Sequence, residues 1–300
     1  MTPIEIVRVS IFIGLVASVY VIAAGALARK LSRRLPRRPV NGLQKVALVL
    51  ASLGTLCVAW GFVEPYWLET VHVEVPSSKL ASPLRIALLS DLHCDARVRL
   101  EERLPDAVAD AHPDVIVFTG DATNSEDGVP VFRALMGRLA RIAPTFAVRG
   151  NWDRRSDAHA LLFEGTGVRD LDGEAAPLRS DVWVAGVSVV GRFKIKAALG
   201  AVPPGAFTVF LCHWPDEIDV AAPLSPDLYL CGHTHGGQIA LPFYGALATL
   251  SKFGKQYEHG LYRVEKTSLY VNRGIGMAGE GVVPLRFCAR PELTIIDVTR

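Results

Sequence analysis

The sequence predicts a layered α/β domain carried behind an N-terminal two-helix transmembrane hairpin. Three observations point that way. Two apolar runs of membrane-spanning length fall within the first 64 residues. From Leu84 onward, short β-rich runs alternate with helical patterns. Strand after strand then ends in a residue that can hold a metal ion.

Ile11 to Ala28 is almost unbroken apolar sequence, extendable back to Ile4, and a second run covers Val46 to Val63. Each approaches the ~20 residues that cross a hydrocarbon core of ~30 Å. The spans are expected at about 4–28 and 46–63, within a hairpin of residues 1–64. Between them lie Arg29, Lys30, Arg33, Arg34, Arg37, Arg38 and Lys45, with Pro36 and Pro39 to break a continuing helix. The positive-inside rule puts this basic connection in the cytoplasm. Both termini and the part that follows the hairpin are then expected outside, in a multi-pass protein of the cell (inner) membrane. Acidic Glu64, Glu69 and Glu74 agree with that flank, and Tyr66 and Trp67 suit the lipid interface. Two spans and no clear small-residue cleavage site argue against a cleaved signal peptide. Ser32-Arg33-Arg34 is a poor twin-arginine signal, because Pro36 follows and a span precedes it. Residues 65–83 are expected to be a linker, and 84–300 the layered α/β domain.

Composition separates the same two parts. Half the chain is hydrophobic and its mean hydropathy is +0.28, an excess that resides in the hairpin. Residues 1–64 carry eight Lys/Arg against two Asp/Glu, whereas the remainder carries 24 against 28. A basic anchor thus precedes an acidic domain, which is a poor match for a nucleic-acid backbone. No nucleic-acid partner is expected; the lipid bilayer is. The five cysteines fit no Cys-x-x-Cys pattern, and Cys94, Cys212 and Cys231 read as small buried residues at strand ends.

In chain order, Leu84–Ser90 reads as a buried strand, Leu100–Ala111 as an amphipathic helix and Asp114–Thr119 as a second buried strand. A helix near Val131–Ile142 and a strand at Thr145–Val148 follow. Val182–Val187, Phe207–Cys212 and Leu228–Cys231 read as strands, then Leu261–Val264, Ser268–Val271 and Glu292–Val298. Alternation first and mainly strands later suits layered α/β architecture.

The ends of those strands carry Asp91-Leu92-His93, Gly120-Asp121, Gly150-Asn151, His213 and Gly232-His233-Thr234-His235. Seven oxygen or imidazole donors on five loops suffice for two adjacent divalent ions, with one carboxylate shared; Asp121 is the expected bridge. Such a pair clamps a phosphate, acidifies a water and stabilises the leaving oxygen. The mixed donor set suits manganese, iron or zinc better than calcium. Singly, most of these signals are weak: Asp-x-His arises by chance, and Gly-Asp after a strand is equally a turn with a helix cap. The Gly-His-Thr-His-Gly-Gly run is more specific, since its glycines let backbone approach a ligand closely.

In that order, these blocks, with Leu211-Cys212-His213-Trp214-Pro215-Asp216 around His213, resemble the five blocks of the calcineurin-like metallophosphoesterases. Asn272-Arg273-Gly274-Ile275-Gly276 and Arg286-Phe287-Cys288-Ala289-Arg290-Pro291-Glu292 are similar to a membrane-associated bacterial branch. The resemblance covers about residues 84–298. It implies a four-layer αββα sandwich and hydrolysis of phosphate mono- or diesters by a hydroxide held between two metal ions. It also implies ligands: Asp91, His93, Asp121 and His235 for one ion; Asp121, Asn151, His213 and His233 for the other. Asp121, Asn151 and His213 would stand closest to the chemistry.

One departure stands out. The family usually has His directly after the Asn, but here the run is Gly150-Asn151-Trp152-Asp153. Indole is no general acid, so either little protonation is needed or His259, His159 or Asp153 supplies it. Trp152 otherwise walls an unusual substrate or merely packs. Arg149, Arg192 and Arg273 lie near the site loops and are candidates to hold a phosphate oxygen, or to form ordinary salt bridges. The apolar run from Ile239 to Leu247 beside the histidine turn, together with the anchor, points to a phosphorylated small molecule or lipid-linked phosphate as substrate; a buried segment is the plainer alternative. Some relatives of the branch are associated with UDP-2,3-diacylglucosamine hydrolysis in lipid A synthesis, a cytoplasmic-side substrate that the expected topology disfavours. A non-catalytic membrane protein binding metal or a phosphoryl ligand is the rival from another class, and retention of all seven ligand types speaks against it. No Gly-x-Ser-x-Gly elbow or P-loop lysine motif occurs.

Overall fold

The computed structural model describes residues 1–31, 39–154, 161–189, 191–278 and 284–300. Arg33, Arg34, Pro36, Arg37 and Arg38 of the basic connection, and His159, lie outside the described residues. The two apolar runs form helices α1 (Pro3–Leu31) and α2 (Gly42–Gly61). Their 29 and 20 residues reach the length of a hydrocarbon core at ~1.5 Å of rise per residue. Only 11% of each apolar window is buried, so neither is the core helix of a globular domain. Asn41 starts α2 with a capping box, its side chain accepting from Gln44 N while Gln44 Oε1 accepts from Asn41 N. The helices meet through small residues, Ala23 against Ala47 and Ala51, with a Tyr20–Thr55 hydroxyl bond of 3.1 Å.

The rest of the chain is built on strands β1 (Glu69–Pro76), β2 (Leu84–Leu89), β3 (Val115–Phe118), β4 (Thr145–Ala147), β5 (Arg169–Asp170), β6 (Glu174–Arg179) and β7 (Val182–Val187). β8 (Phe207–Cys212), β9 (Leu228–Cys231), β10 (Ala240–Leu241), β11 (Gly245–Ala246), β12 (Gly260–Val264), β13 (Thr267–Val271) and β14 (Glu292–Thr299) follow. Helices α3 (Leu104–Asp110), α4 (Val129–Leu139), α5 (Ile195–Gly200) and α6 (Ile218–Ala221) join them.

Two six-stranded sheets result, ordered β1-β14-β2-β3-β4-β5 and β12-β13-β9-β8-β7-β6. β2 to β5 run parallel, as do β7, β8, β9 and β13. The period-2 alternation of strand side chains then makes the layers. Leu84, Ile86 and Leu88 of β2 meet Val184, Val209, Leu211 and Leu230 of the opposite sheet in a shared core. Their neighbours Ala87 and Leu89 face the other way, onto α3 and α4 through Leu104, Val108, Phe132 and Met136. Phe210 and Tyr229 of the second sheet face Ile195 of α5 and Ile218 of α6. The order is helix, sheet, sheet, helix, the expected αββα sandwich.

Two local expectations are corrected, and two short helices are unexpected. The segment 65–83 is no plain linker: β1 lies parallel to β14 over eight residue pairs, from Glu69 opposite Glu292 to Pro76 opposite Thr299. It is an edge strand, half exposed and ending in a proline, so its composition imitates a spacer. The helix expected from Leu100 begins at Leu104, with Pro105 in its first turn. α5 and α6, of six and four residues, are too short to display a period.

Candidate metal centre

β2, β3 and β4 of one sheet and β8 and β9 of the other all deliver their C-terminal ends to one place. Asp91 and His93 follow β2, Asp121 follows β3, Asn151 follows β4, His213 follows β8, and His233 and His235 follow β9. Among the described residues, ligand atoms of Asp91, His93 and His235 lie within 4.8 Å of one another, as do those of Asp91, Asp121 and His213. His235 Nε2 is 3.2 Å from Asp91 Oδ1, and His213 Nε2 is 3.2 Å from Asp121 Oδ2. His93 Nε2 stands 3.7 Å from Asp121 Oδ2, and His213 Nε2 stands 4.0 Å from Asp91 Oδ1. Both carboxylates therefore sit between imidazoles. His233 belongs to neither group, though its ring centre lies 5.2 Å from that of His213.

These residues fit divalent cations. His93 and His213 are fully buried, yet both ring nitrogens of His93 and Nε2 of His213 have no hydrogen-bond partner among the described residues. Buried polar atoms are rarely left so. His213 Nδ1 lies 2.8 Å from the Thr119 carbonyl and donates to it, leaving the Nε2 lone pair for a ligand. Asp91 and Asp121 share one buried volume and require positive charge to offset their desolvation. Electrostatics separates the histidines. Burial holds His93 down to about 3 and His233 down to about 4. Burial also opposes charge on His213, but Asp121 and Asp91 outweigh it and push its pKa up to about 9.

The backbone is bent to make this arrangement. Asp91, His93, Asp121, His233 and His235 all adopt left-handed φ, between 42° and 73°. Such clustering of sparsely populated conformations marks functional sites. Gly232 is required by close approach, since a Cβ there would collide with Ser90 Oγ and the Asp91 carboxylate.

Asp153 corrects an expectation. It is buried, and its carboxylate accepts from the backbone N–H of Asp121 at 2.9 Å, Ala122 at 2.7 Å and Gly150 at 2.8 Å. Burial and the Asp121 charge raise its pKa to about 6, but its oxygens serve the ligand loops and face no substrate space. It is a brace. Trp152 N donates to Asp121 Oδ1 at 2.8 Å, and its indole meets the His93 ring edge-on with centres 5.3 Å apart.

The candidate cations have other partners. Arg149 Nε bonds Asp170 at 2.8 Å. Arg273 is held between Glu292 at 2.5 Å and Glu69 at 2.7 Å, tying β1 and β14 to the loop that follows β13. Arg192 is exposed and pairs with Glu217 and Asp219. His259 is exposed, with burial of its ring edge lowering its pKa.

Two contacts at the centre escape sequence reasoning. Trp214 Nε1 donates to Asn151 Oδ1 at 3.0 Å, fixing the carboxamide. Arg286 is fully buried and donates to the carbonyls of Gly276, Arg273 and Ala289, with its Nη2 3.2 Å from His235 Nδ1. Nothing in Leu285-Arg286-Phe287 signals a buried guanidinium. The carbonyls that receive it are visible only in the fold.

The calcineurin-like phosphoesterase family profile matches residues 84–237. The chain is similar to metallophosphoesterase YkuE of Bacillus subtilis, 31% identical over 79% of this chain and 87% of that protein. It is 30% identical to phosphodiesterase YaeI of Escherichia coli, over 83% of this chain and 96% of that one. A zebrafish transmembrane protein with metallophosphoesterase domain is 31% identical over 76% of this chain, which spans 56% of that longer protein. The strand-end blocks that carry the candidate ligands fall within the matched region, and the chain belongs to the calcineurin-like phosphoesterase family, as a metal-dependent phosphoric ester hydrolase.

Proposed function

We propose that the chain is a membrane-anchored two-metal phosphoesterase acting on mono- or diesters of a lipid-linked phosphate at the extracytoplasmic face of the cell membrane. The observation that carries it is the pair of buried carboxylates facing imidazole nitrogens that no hydrogen bond satisfies among the described residues. Asp91, His93, Asp121 and His235 would hold one cation, and Asp121, Asn151, His213 and His233 the other. Manganese, iron or zinc suit these donors. Two such ions supply Lewis-acid polarisation of a phosphoryl oxygen and a water acidic enough to attack phosphorus.

The protein's own groups prepare the site. The Thr119 carbonyl fixes the His213 tautomer, Trp214 orients the Asn151 oxygen, and Asp153 clamps the loops that carry Asp121 and Asn151. The Trp152 indole shields the His93 side from water. Where the family pattern has a histidine, this wall supports a substrate whose leaving group needs little protonation or draws it from solvent.

The test is metal content and turnover of the detergent-solubilised full chain, with soluble monoester, diester and lipid-phosphate substrates. About two metals per chain are expected, with turnover that an Asp121→Ala variant lacks. Two metals without turnover of any ester would replace the enzyme by a binding module. No bound metal would end the proposal. Equal turnover of lipid and soluble esters would remove the lipid-linked part alone.

A further inference from the structure

The chain leaving His235 runs through β10, a tip at Phe243 and β11, and on to Leu250. Phe243 is fully exposed, at 111% of its reference area with φ of 63°, and Ile239, Tyr244 and Leu250 of the same segment are exposed. Each large apolar side chain left in water forgoes the free energy of burial. These residues form one continuous segment with a fixed neighbourhood.

At one end, Thr249 donates from its N and Oγ1 to Glu5 Oε1, at 2.8 and 3.1 Å, and both residues are buried. Glu5 lies in the first turn of α1. At the other end, Phe287 N donates to Gln238 O at 3.0 Å and Ala240 N to Phe287 O at 2.8 Å. The residues around Phe287 hold the end of α2: Arg286 N donates to Gly61 O, while Cys288 N and Ala289 N donate to the Glu64 carboxylate. The segment is thus bonded to the start of α1 and the end of α2. In a two-span hairpin those ends leave the membrane on the same side. Half-exposed Trp60, Tyr66 and Trp67 lie at the end of α2 and just beyond it, where interfacial aromatics are found.

We propose that Ile239, Phe243, Tyr244 and Leu250 insert into the interfacial layer of the bilayer and seat the mouth of the metal centre on the lipid surface. This rests on the two-span reading of α1 and α2. The contact is apolar. Lys252 and Lys255 nearby are paired with Asp219 and Glu258, so seating does not require anionic lipid.

Spin labels test it in the full chain, reconstituted in phosphatidylcholine nanodiscs with exposed Cys57 and Cys288 replaced by serine. Labels go on F243C, on V49C midway along α2, and on L224C, which precedes β9 at the end of the sheet remote from the metal centre. Collision rates with oxygen and with a water-soluble nickel chelate give depth. Residue 49 should favour oxygen most, residue 243 should favour it severalfold over residue 224, and added salt should change none of this. Chelate access at 243 equal to that at 224, with 49 in hydrocarbon, overturns the inference alone. Chelate access at 49 overturns the two-span reading and the inference with it. Spin–spin broadening at 243 would put a second copy on the segment and also overturn it. As an independent readout, Phe243→Ser should raise KM for a lipid-presented ester severalfold and leave turnover of a soluble ester unchanged. Equal effects on both substrates would contradict it.

Discussion

The two sheets contribute to the centre unequally. The sheet containing β2, β3 and β4 supplies every oxygen donor, Asp91, Asp121 and Asn151, and one imidazole, His93. The sheet containing β8 and β9 supplies imidazoles only, His213, His233 and His235. The first set is braced from within: Asp91 N bonds Gly120 O, His93 N bonds Asp121 O, and Asp153 collects three further N–H groups. The second set is oriented by reaching across, His213 to the Thr119 carbonyl and His233 N to the Asp91 carboxylate. The oxygen-donor half is therefore braced mainly from its own sheet, with Trp214 of the other reaching Asn151, and the imidazole half is oriented across the seam between the sheets. The two halves are preorganised by different routes.

The largest way to break the comparison is to remove its charge. Asp121→Ala should lower kcat/KM by about a thousandfold or more, as loss of several kcal/mol of transition-state stabilisation implies; steady-state kinetics on a soluble ester decides it. Asp153→Ala leaves three buried N–H groups unpaired, at about 1–3 kcal/mol each. A clear fall in thermal midpoint is expected, with weaker metal binding on the carboxylate side. Leu230→Ala hollows the core between the sheets and should cost about 2–5 kcal/mol in denaturant titration, with binding at both sites declining together. Trp214→Phe sharpens the comparison most gently. It deletes the donor to Asn151 and should weaken the cation at Asn151, His213 and His233 by about 10–100-fold. The other cation and the melting temperature should not move; metal titration followed by calorimetry separates the two sites.

Much of the candidate centre is legible in the sequence because its candidate ligands follow strands directly, and a strand rich in Val, Ile and Leu announces its own end. Asp91, Asp121, Asn151, His213 and His235 are expected that way, and the fold brings them to one place. Their supporting contacts are not, because Trp214, Arg286 and Thr119 act through partners 51 to 94 residues away in the chain. The fold is readable for the same reason and fails where burial is partial. β1 alternates wet and dry residues, and its identity depends on pairing with β14, more than 200 residues later. The roles of Arg149 and Arg273 were open in sequence, since a guanidinium looks the same before phosphate and before carboxylate. The structure finds carboxylates beside both.

The left-handed backbone at Asp91, His93, Asp121, His233 and His235 has a consequence for the molecule's history under selection. Each such residue costs of order 1–3 kcal/mol unless it is glycine. The sturdiest version of this fold is therefore not the active one. Passaged for heat resistance alone, the chain should lose its ligands before its core, with glycine arriving first at the histidine turn. Persistence of five strained donors in working descendants would then be a record of use.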